Sequence, residues 1–493
     1  MYSVLSVTNV LGRLLLVFSL TYLLPIACAL IYDDGTLLTF VFSMLACILV
    51  GLLMIAATRR QRRELKARDG FMLVTMAWTL TAAIAAVPLI LHQQLSFTDA
   101  FFETMSGLTT TGATVMVGLD QVAPSINLWR HALCWLGGMG IIVLAVAILP
   151  FLGVGGMQLM RAEVPGPIKN SRLTARVGDT AALLWVIYVS LTAACVLALR
   201  IAGMDWFDAI CNAFSALSLC GFSTRDASIG AWDSPAIEVV LIFFMVLAAF
   251  NFATHYMVWR HRSLRPIWRD AEARGVLLVL TLCSLSCAVY LWFNQIYTSF
   301  WTALRYVAFN LISVATTCGF VTTDYALWPV FVPLLMLFLS SVTCSSGSTG
   351  GGIKMIRTLI LVRQSSREVA RLIHPTMAAP VTVGGSQIPN SVVFAVLGFI
   401  FLYSMSIIGM TFLLLFGGLD FISAFTAVIG CINNTGPGLG VVGPANNYGV
   451  LTDYEIWVLS FTMLLGRLEV FSLLILFTPQ FCAGRGARMK DEG

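Results

Sequence analysis

The sequence is poor in charged residues for its length. Only 11% of its 493 residues are charged, whereas 58% are hydrophobic and the mean hydropathy is +0.89. A soluble globular protein carries about 25% charged residues. The shortage leaves no room for a large soluble domain and predicts a polytopic protein of the lipid bilayer.

Motifs for metal binding, disulfides and catalysis are also missing. The 12 cysteines are scattered without a CxxC pair, and the five histidines lack metal-ligand spacing. Cys283 and Cys287 share a helix face, where core packing is the expected role. No phosphorylation or nucleotide motif occurs, so we expect neither an enzyme nor an ATPase subunit, and no nucleic-acid partner.

Ten apolar runs are long enough to cross a bilayer as helices. One of them, near 329–363, is interrupted by polar residues. The other nine lie near 9–31, 37–57, 71–91, 127–150, 180–203, 236–259, 275–296, 391–416 and 455–478. The expected fold is therefore an all-α polytopic membrane protein with ten transmembrane helices.

Basic segments alternate with acidic ones along the chain. The segments that hold most of the Lys and Arg are 59–68, 161–176, 260–274, 354–371 and 485–490. Cytoplasmic loops of membrane proteins carry the excess of positive charge. With ten spans every basic segment falls on one side, which predicts that both termini are cytoplasmic.

Four short glycine-containing loops lie between spans on the outer side. Each follows a stretch too short to cross the membrane twice, which suits a re-entrant half-helix. The half-helices are predicted at 97–109, 205–218, 300–316 and 420–433, and the central glycines are Gly112, Gly221, Gly319 and Gly436. The unit of span, half-helix, glycine loop and span predicts a pore with pseudo-four-fold symmetry.

The four units also agree at fixed offsets. Six residues before each glycine stands a small residue, at Ser106, Ser215, Ser313 and Gly430. Nine residues before it stand Glu103, Asn212, Asn310 and Ala427. Because these offsets recur in one topological position, we interpret them as a repeat rather than as chance similarity.

The glycine loops have the chemistry of a cation filter. A cation that crosses a bilayer must exchange its water shell for similar ligands, and rings of backbone carbonyls provide them for potassium. Glycine permits backbone angles that are barred to other residues. The carboxyl end of each half-helix carries partial negative charge. No charged residue stands at a loop centre, which argues against an acidic, calcium-type filter.

Three motifs carry a resemblance to one family. TTGA at 110–113, NTGPGLG at 434–440 and GRLEVF at 466–471, together with the repeat, are similar to the TrkH/TrkG/KtrB potassium-uptake proteins. The extra N-terminal hairpin resembles the TrkH branch. The resemblance implies a potassium pore of the bacterial inner membrane that binds no cofactor besides the transported K⁺. It also implies a homodimer regulated by a cytosolic, TrkA-like ring, on which the nucleotide (NAD or ATP/ADP) binds.

By the family pattern, potassium is held by each central glycine and the residue before it. Here these residues are Thr111 and Gly112, Cys220 and Gly221, Cys318 and Gly319, and Thr435 and Gly436. The filter begins one residue earlier, at Thr110, Leu219, Thr317 and Asn434. Cys220 and Cys318 replace an expected glycine or threonine. Because backbone carbonyls coordinate the ion, we expect conduction to survive this replacement.

The interrupted span contains a loop rich in serine and glycine at 345–352. It differs from a P-loop because Ile353 separates Gly352 from Lys354 and no strand is expected before it. The resemblance implies an intramembrane gating loop here. The predicted gate residues are Gly347, Ser348, Thr349, Gly350, Gly351, Gly352, Lys354 and Arg467.

Arg467 is expected inside the last span. A charge there usually faces an aqueous path or a partner, although a neighbouring carbonyl or acidic group could hold it structurally. Arg130 and Arg305 stand near span or half-helix ends, where we expect them to snorkel.

The repeat divides the chain into an N-terminal hairpin and four pore units. The predicted bounds are 1–70 for the hairpin and 71–178, 179–273, 274–388 and 389–493 for the units. The alternative function is an ion-coupled (H⁺ or Na⁺) secondary symporter, since such transporters also contain broken helices. Their repeats are often inverted, whereas the four units here share one orientation, which favours a pore.

Overall fold

A computed structural model describes the chain in four stretches, residues 2–59, 67–147, 177–375 and 380–478. The basic segments predicted at 161–176 and 485–490 lie outside these stretches. The described residues are mostly helical, with one small antiparallel hairpin. Its strands are β1 (Val381–Val383) and β2 (Ser386–Ile388).

The described chain begins with a helical hairpin. Its helices are α1 (Tyr2–Ser19), α2 (Leu23–Tyr32) and α3 (Leu37–Thr58). Gly12 and Gly51 allow α1 and α3 to cross closely, because a Cβ on either would lie within 2.9 Å of the other's carbonyl oxygen. Helix α1 also packs on the first helix of the next unit.

Four units follow, each with a half-helix between other helices. The first contains α4 (Ala67–Ala85), α5 (Val87–Gln93), α6 (Phe97–Leu108) and α7 (Pro124–Ala147). The second contains α8 (Val177–Ile201), α9 (Trp206–Ser218), α10 (Pro235–Ala249) and α11 (Phe252–His261). After a link, α12 (Arg265–Arg269), the third contains α13 (Ala271–Phe293), α14 (Phe300–Ala315), α15 (Phe331–Val342) and α16 (Met355–Ile373). The fourth contains α17 (Asn390–Gly417), α18 (Phe421–Ile432), α19 (Asp453–Arg467) and α20 (Phe471–Leu474).

Side-chain caps fix where several helices start. Ser96 accepts a hydrogen bond from the backbone N–H of Asp99 at the start of α6, and Asp420 accepts one from Ser423 at the start of α18. Thr452 and Glu455 form a capping box on α19. These caps satisfy amide groups that a helix start otherwise leaves without partners. All four half-helices begin and end within one residue of their predicted bounds.

The half-helices link the units into a closed circle. Each packs against long helices of its own unit and against one helix of a neighbouring unit. The neighbouring contacts are α6 with α19, α9 with α7, α14 with α10, and α18 with α15. Since α6 of the first unit contacts α19 of the fourth, the circle has no open end.

The described residues contain several helices of membrane-spanning length. Six helices there are long and apolar enough to cross a membrane, or eight if two sharply bent helix pairs each count as one span. The figure of ten stays a prediction. The interruption near 345–352 is confirmed, because α15 ends at Val342 and α16 begins at Met355.

Two of the apolar runs predicted to cross the membrane do not form single continuous helices. The run 236–259 breaks after Ala249, and α10 and α11 meet at 100°. The run 455–478 breaks after Arg467, with a bend of 111°. Each helix pair still passes a hydropathy test for a single span, so mean hydropathy did not reveal the breaks, although Asn251 stands at the first and Arg467 and Glu469 at the second. Arg467 therefore ends a helix rather than occupying the middle of one.

Candidate functional site: a ring of four glycine loops

The four predicted loops come together as a ring. In each loop the central glycine lies against the backbone carbonyl of the preceding residue in another loop. The pairs are Gly112 with Cys220, Gly221 with Cys318, Gly319 with Thr435, and Gly436 with Thr111. The fourth pair returns to the first loop and closes the ring. All four glycines have φ between 79° and 93°, and a Cβ would press on the facing carbonyl, so both conditions require glycine.

The loops share one backbone conformation. Two residues before each glycine the chain is left-handed, with φ of 54–60° at Thr110, Leu219, Thr317 and Asn434. The next amide donates to the carbonyl of the small residue noted in the sequence. These bonds join Thr111 to Ser106 (2.8 Å), Cys220 to Ser215 (3.0 Å), Cys318 to Ser313 (2.8 Å) and Thr435 to Gly430 (2.8 Å). Left-handed residues other than glycine are strained and cluster at functional sites.

The side chain nine residues before the glycine holds two of the loops by a hydrogen bond to their backbone. A carboxylate oxygen of Glu103 accepts from the amide of Val115 at 3.0 Å. The side-chain oxygen of Asn310 accepts from the amide of Thr322 at 3.1 Å. Val115 and Thr322 both stand three residues after their glycine, so the two bonds are equivalent. The sequence offset thus corresponds to a structural contact.

The prediction that Arg130 snorkels is wrong. Its side chain is 1% exposed, and its Nη2 lies 2.7 Å from Oε1 of Glu103. Its guanidinium also stacks over the ring of Phe222 at 4.3 Å. Arg305 is only partly exposed and pairs with Glu238 at 2.6 Å. Both arginines lie far from their partners in sequence, so no local pattern signalled the pairs.

A small cavity of about 90 Å³ opens beside the ring, and all four central glycines line it. Arg225, Asp226 and Tyr448 lie on its wall. The hydroxyl of Tyr448 donates to the carbonyl of Gly436 at 2.6 Å. Polar backbone of the ring therefore faces a space of a few water molecules.

The Ser/Gly loop (345–352) lies against the ends of three half-helices. The amide of Gly351 donates to the hydroxyl of Thr317 at 3.0 Å. The α-carbon of Gly351 packs on the carbonyl of Asn433, where a Cβ would not fit. The hydroxyl of Thr349 donates to the carbonyl of Leu217 at 3.0 Å. The predicted gate residues thus sit directly beside the ring.

Arg467 connects the Ser/Gly loop to the first unit. Its Nη1 donates to the carbonyl of Thr349 at 3.0 Å, and its Nη2 donates to the carbonyl of Gly137 at 2.8 Å. The side chain is 1% exposed. Lys354, another predicted gate residue, donates to the carbonyl of Gly350 within the loop. The structure therefore brings Arg467, Lys354 and the loop together.

Glu272 joins the start of the Ser/Gly loop to the first turn of α16, which the sequence did not indicate. One carboxylate oxygen accepts from the amides of Ser346 (2.9 Å) and Ile356 (3.1 Å). The other accepts from the hydroxyl of Ser346 at 2.8 Å. Glu272 is fully buried in the first turn of α13. A single acidic residue at a helix start resembles ordinary helix chemistry, so no signal was available.

The Ser/Gly loop is also joined to the break between α10 and α11. The amide of Ser345 donates to the carbonyl of Ala249 at 2.9 Å, and the amide of Phe252 donates to the carbonyl of Gly347 at 3.1 Å. The carbonyl of Ala249 and the amide of Phe252, which lose their helical partners at the break, thus bond to the Ser/Gly loop. Backbone polar groups inside a membrane need such partners, because lipid offers none.

Comparison with known proteins identifies the family. The family model described as TrkH, cation transport protein, matches residues 38–482. The chain belongs to the TrkH family. The resemblance seen in the sequence motifs is thereby confirmed.

Several named TrkH relatives match almost end to end. The Trk system potassium uptake protein TrkH of Salmonella typhimurium is 45% identical over 97% of this chain and 99% of that protein. The Trk system potassium uptake protein TrkG of Escherichia coli is 38% identical over 96% of this chain and 98% of that protein. The crystal structure of the potassium transporter TrkH from Vibrio parahaemolyticus has a TM-score of 0.89 at 43% identity, covering 97% of this chain and 99% of that one.

Proposed function

We propose that this TrkH-family chain is a gated, potassium-selective pore that takes up K⁺ across the bacterial inner membrane. The closed ring of four glycine loops carries the proposal, together with relatives that are named for potassium uptake. In the ring, K⁺ would exchange water for backbone carbonyls. The proposed ion-binding residues are Thr111, Gly112, Cys220, Gly221, Cys318, Gly319, Thr435 and Gly436.

Selectivity would come from carbonyl ligands rather than from charge. Glu103, a buried carboxylate behind the first loop, is neutralised by Arg130 and engaged by the backbone of its own loop. The carboxyl ends of the half-helices add partial negative charge near each glycine. A ring of this kind favours a monovalent cation that sheds its water readily.

The Ser/Gly loop would act as the gate. It lies against three of the four half-helix ends, and its glycines lack side chains that a movement of the loop would have to repack. Arg467 would stabilise the closed position through its bond to Thr349, and it would place a positive charge near the ion's route. Glu272 would hold the start of the loop to the first turn of α16 while the centre of the loop moves.

A cytosolic, TrkA-like ring that binds NAD or ATP/ADP would regulate a homodimer of this chain. Support comes from exposed arginines on and around α11 and α12, which offer a basic surface to a partner. They are Arg260, Arg262, Arg265 and Arg269. Pull-down of the tagged chain from native membranes should recover a nucleotide-binding protein. Recovery of this chain alone, with flux indifferent to nucleotides and cytosol, would contradict the partner proposal.

The test of function is single-channel recording of the purified full chain in planar bilayers. We expect discrete conductance steps and a reversal potential that follows the K⁺ gradient rather than the Na⁺ gradient. Smooth uptake without steps, driven by an imposed H⁺ or Na⁺ gradient, would instead support the symporter. Equal permeability to K⁺ and Na⁺ would contradict the potassium assignment.

A further inference from the structure

Two buried thiols face each other directly behind the second loop of the ring. Sγ of Cys134, on α7, lies 2.7 Å from Sγ of Cys220. Both residues are fully buried and form a cluster with Phe222. The proposed function uses only the backbone carbonyl of Cys220, so this pair of side chains has no role in it.

The separation of the two sulfurs suits a disulfide better than a metal ion. A metal bound to two thiolates at the Zn–S distance of about 2.3 Å would hold the sulfurs roughly 4 Å apart. In the described part of the chain, moreover, no group of three or more potential metal ligands occurs. A disulfide needs a sulfur separation of about 2.05 Å. The thiols must therefore approach by less than 1 Å.

We propose that Cys134 and Cys220 form a reversible disulfide when a small peroxide reaches the ring, and that this bond slows ion conduction. The sulfur of one thiol attacks a peroxide oxygen and breaks the O–O bond, and the thiol proton passes to the leaving hydroxide, which gives a sulfenic acid and water. The second thiol then attacks that sulfur and expels water. In total, two thiols lose two electrons and two protons, and hydrogen peroxide becomes two molecules of water.

The 90 Å³ cavity is the space from which an oxidant would approach the two thiols, although neither Cys134 nor Cys220 lines it. Gly221 and Phe222, the two residues after Cys220, line that cavity. Hydrogen peroxide is close to water in size and can occupy such a space. A bulky disulfide such as oxidised glutathione cannot, so the site selects small peroxides over large thiol reagents.

The consequence for conduction follows from where Cys220 stands. Its carbonyl packs against Gly112 of the neighbouring loop. Cys134 belongs to α7, a continuous helix that also contacts α6, α8 and α9. Because α7 is the better-anchored partner, closing the bond draws the loop toward α7 and displaces the Cys220 carbonyl from the ring. The effect on flux rests on the proposed function, whereas formation of the disulfide does not.

The experiment treats the purified full chain in proteoliposomes with hydrogen peroxide and then with dithiothreitol. Rubidium uptake is measured at each stage, and non-reduced peptides are mapped by mass spectrometry. We expect a peptide that joins Cys134 to Cys220 and an about tenfold fall in uptake, equivalent to about 1.4 kcal/mol in the barrier. Dithiothreitol should reverse both changes.

Variants separate this bond from general oxidation. Cys134→Ser should transport like the wild type and resist peroxide, with Cys134→Ala as a second choice if the serine variant folds poorly. Cys195→Ser, which removes a buried thiol on α8, should stay sensitive. The proposal is overturned if Cys134→Ser is inhibited like the wild type, if no linked peptide forms, or if the peptide forms without loss of flux. Absence of any flux before treatment would count against the proposed function and leave the peptide result intact.

Discussion

Replacing Arg467 with alanine should open the pore in the absence of any partner. The guanidinium makes two hydrogen bonds to backbone carbonyls, and only the bond to Thr349 joins it to the Ser/Gly loop. The bond to Gly137 joins Arg467 to α7, outside the Ser/Gly loop, and so it does not depend on the position of the loop. Loss of the first bond therefore weakens the closed state selectively.

The size of the effect can be worked from that one bond. A hydrogen bond from a charged group contributes about 1.5–3 kcal/mol. A change of this size alters the closed-to-open equilibrium by roughly 10- to 150-fold. Basal flux should rise by the same factor while the open state is rare. Arg467→Lys should give a smaller rise, because an ammonium keeps the charge but lacks the planar fork that reaches two carbonyls at once.

The assay is rubidium uptake into proteoliposomes of each purified variant, with folding checked by gel filtration. Arg200→Ala is the matched control, since Arg200 is exposed and also donates to a backbone carbonyl, that of Met204, away from the Ser/Gly loop. Its flux should equal that of the wild type. Equal or lower flux in a folded Arg467→Ala variant would show that the arginine is structural and that the gate lies elsewhere.

Three further predictions concern the ring, the loop anchor and the buried ion pair. Gly319→Ser should reduce selectivity for rubidium over sodium in competition uptake, because the new Cβ meets a carbonyl of the ring. Gly409→Ser is the control, since a Cβ at Gly409 meets open space and should leave selectivity unchanged. Equal selectivity in the two variants would contradict the ring. Glu272→Ala should raise basal rubidium uptake, because the Ser/Gly loop loses its bonds to α13. Glu272→Gln should keep uptake low, because the amide oxygen can still accept the N–H groups of Ser346 and Ile356. Identical flux in the two variants would refute the role of Glu272 in holding the loop. Arg130→Gln should lower the melting temperature in detergent, since a buried carboxylate without its partner costs about 3–5 kcal/mol. Adding Glu103→Gln to that variant should restore part of the loss, and no recovery would exclude charge as the cause.

The repeat and the ring were predictable from the sequence because they depend on local chemistry. Gly112 and its three counterparts adopt a backbone conformation that only glycine accepts easily, and they stand at nearly constant spacing from short apolar stretches. The small residue six positions earlier marks a hydrogen bond within the same loop. Each of these requirements acts over fewer than ten residues, so each leaves a readable pattern.

Contacts between distant segments left no such pattern. Glu103 and Arg130 pair across a loop, and Glu272 binds residues more than seventy positions later. The break after Ala249 occurs inside a run whose mean hydropathy is that of a span, and its freed backbone groups are satisfied by the Ser/Gly loop. Tertiary packing decides these features, and hydropathy does not record it.

Anomalous scattering from crystals of the protein grown in rubidium or thallium salts tests the ring most directly. The account predicts anomalous density at the centre of the ring, within coordination distance of the carbonyls of Thr111, Cys220, Cys318 and Thr435. The density should weaken when potassium replaces part of the heavier ion, and it should persist in an equal excess of sodium. Density located only outside the ring, or density that sodium removes as readily as potassium, would contradict the account.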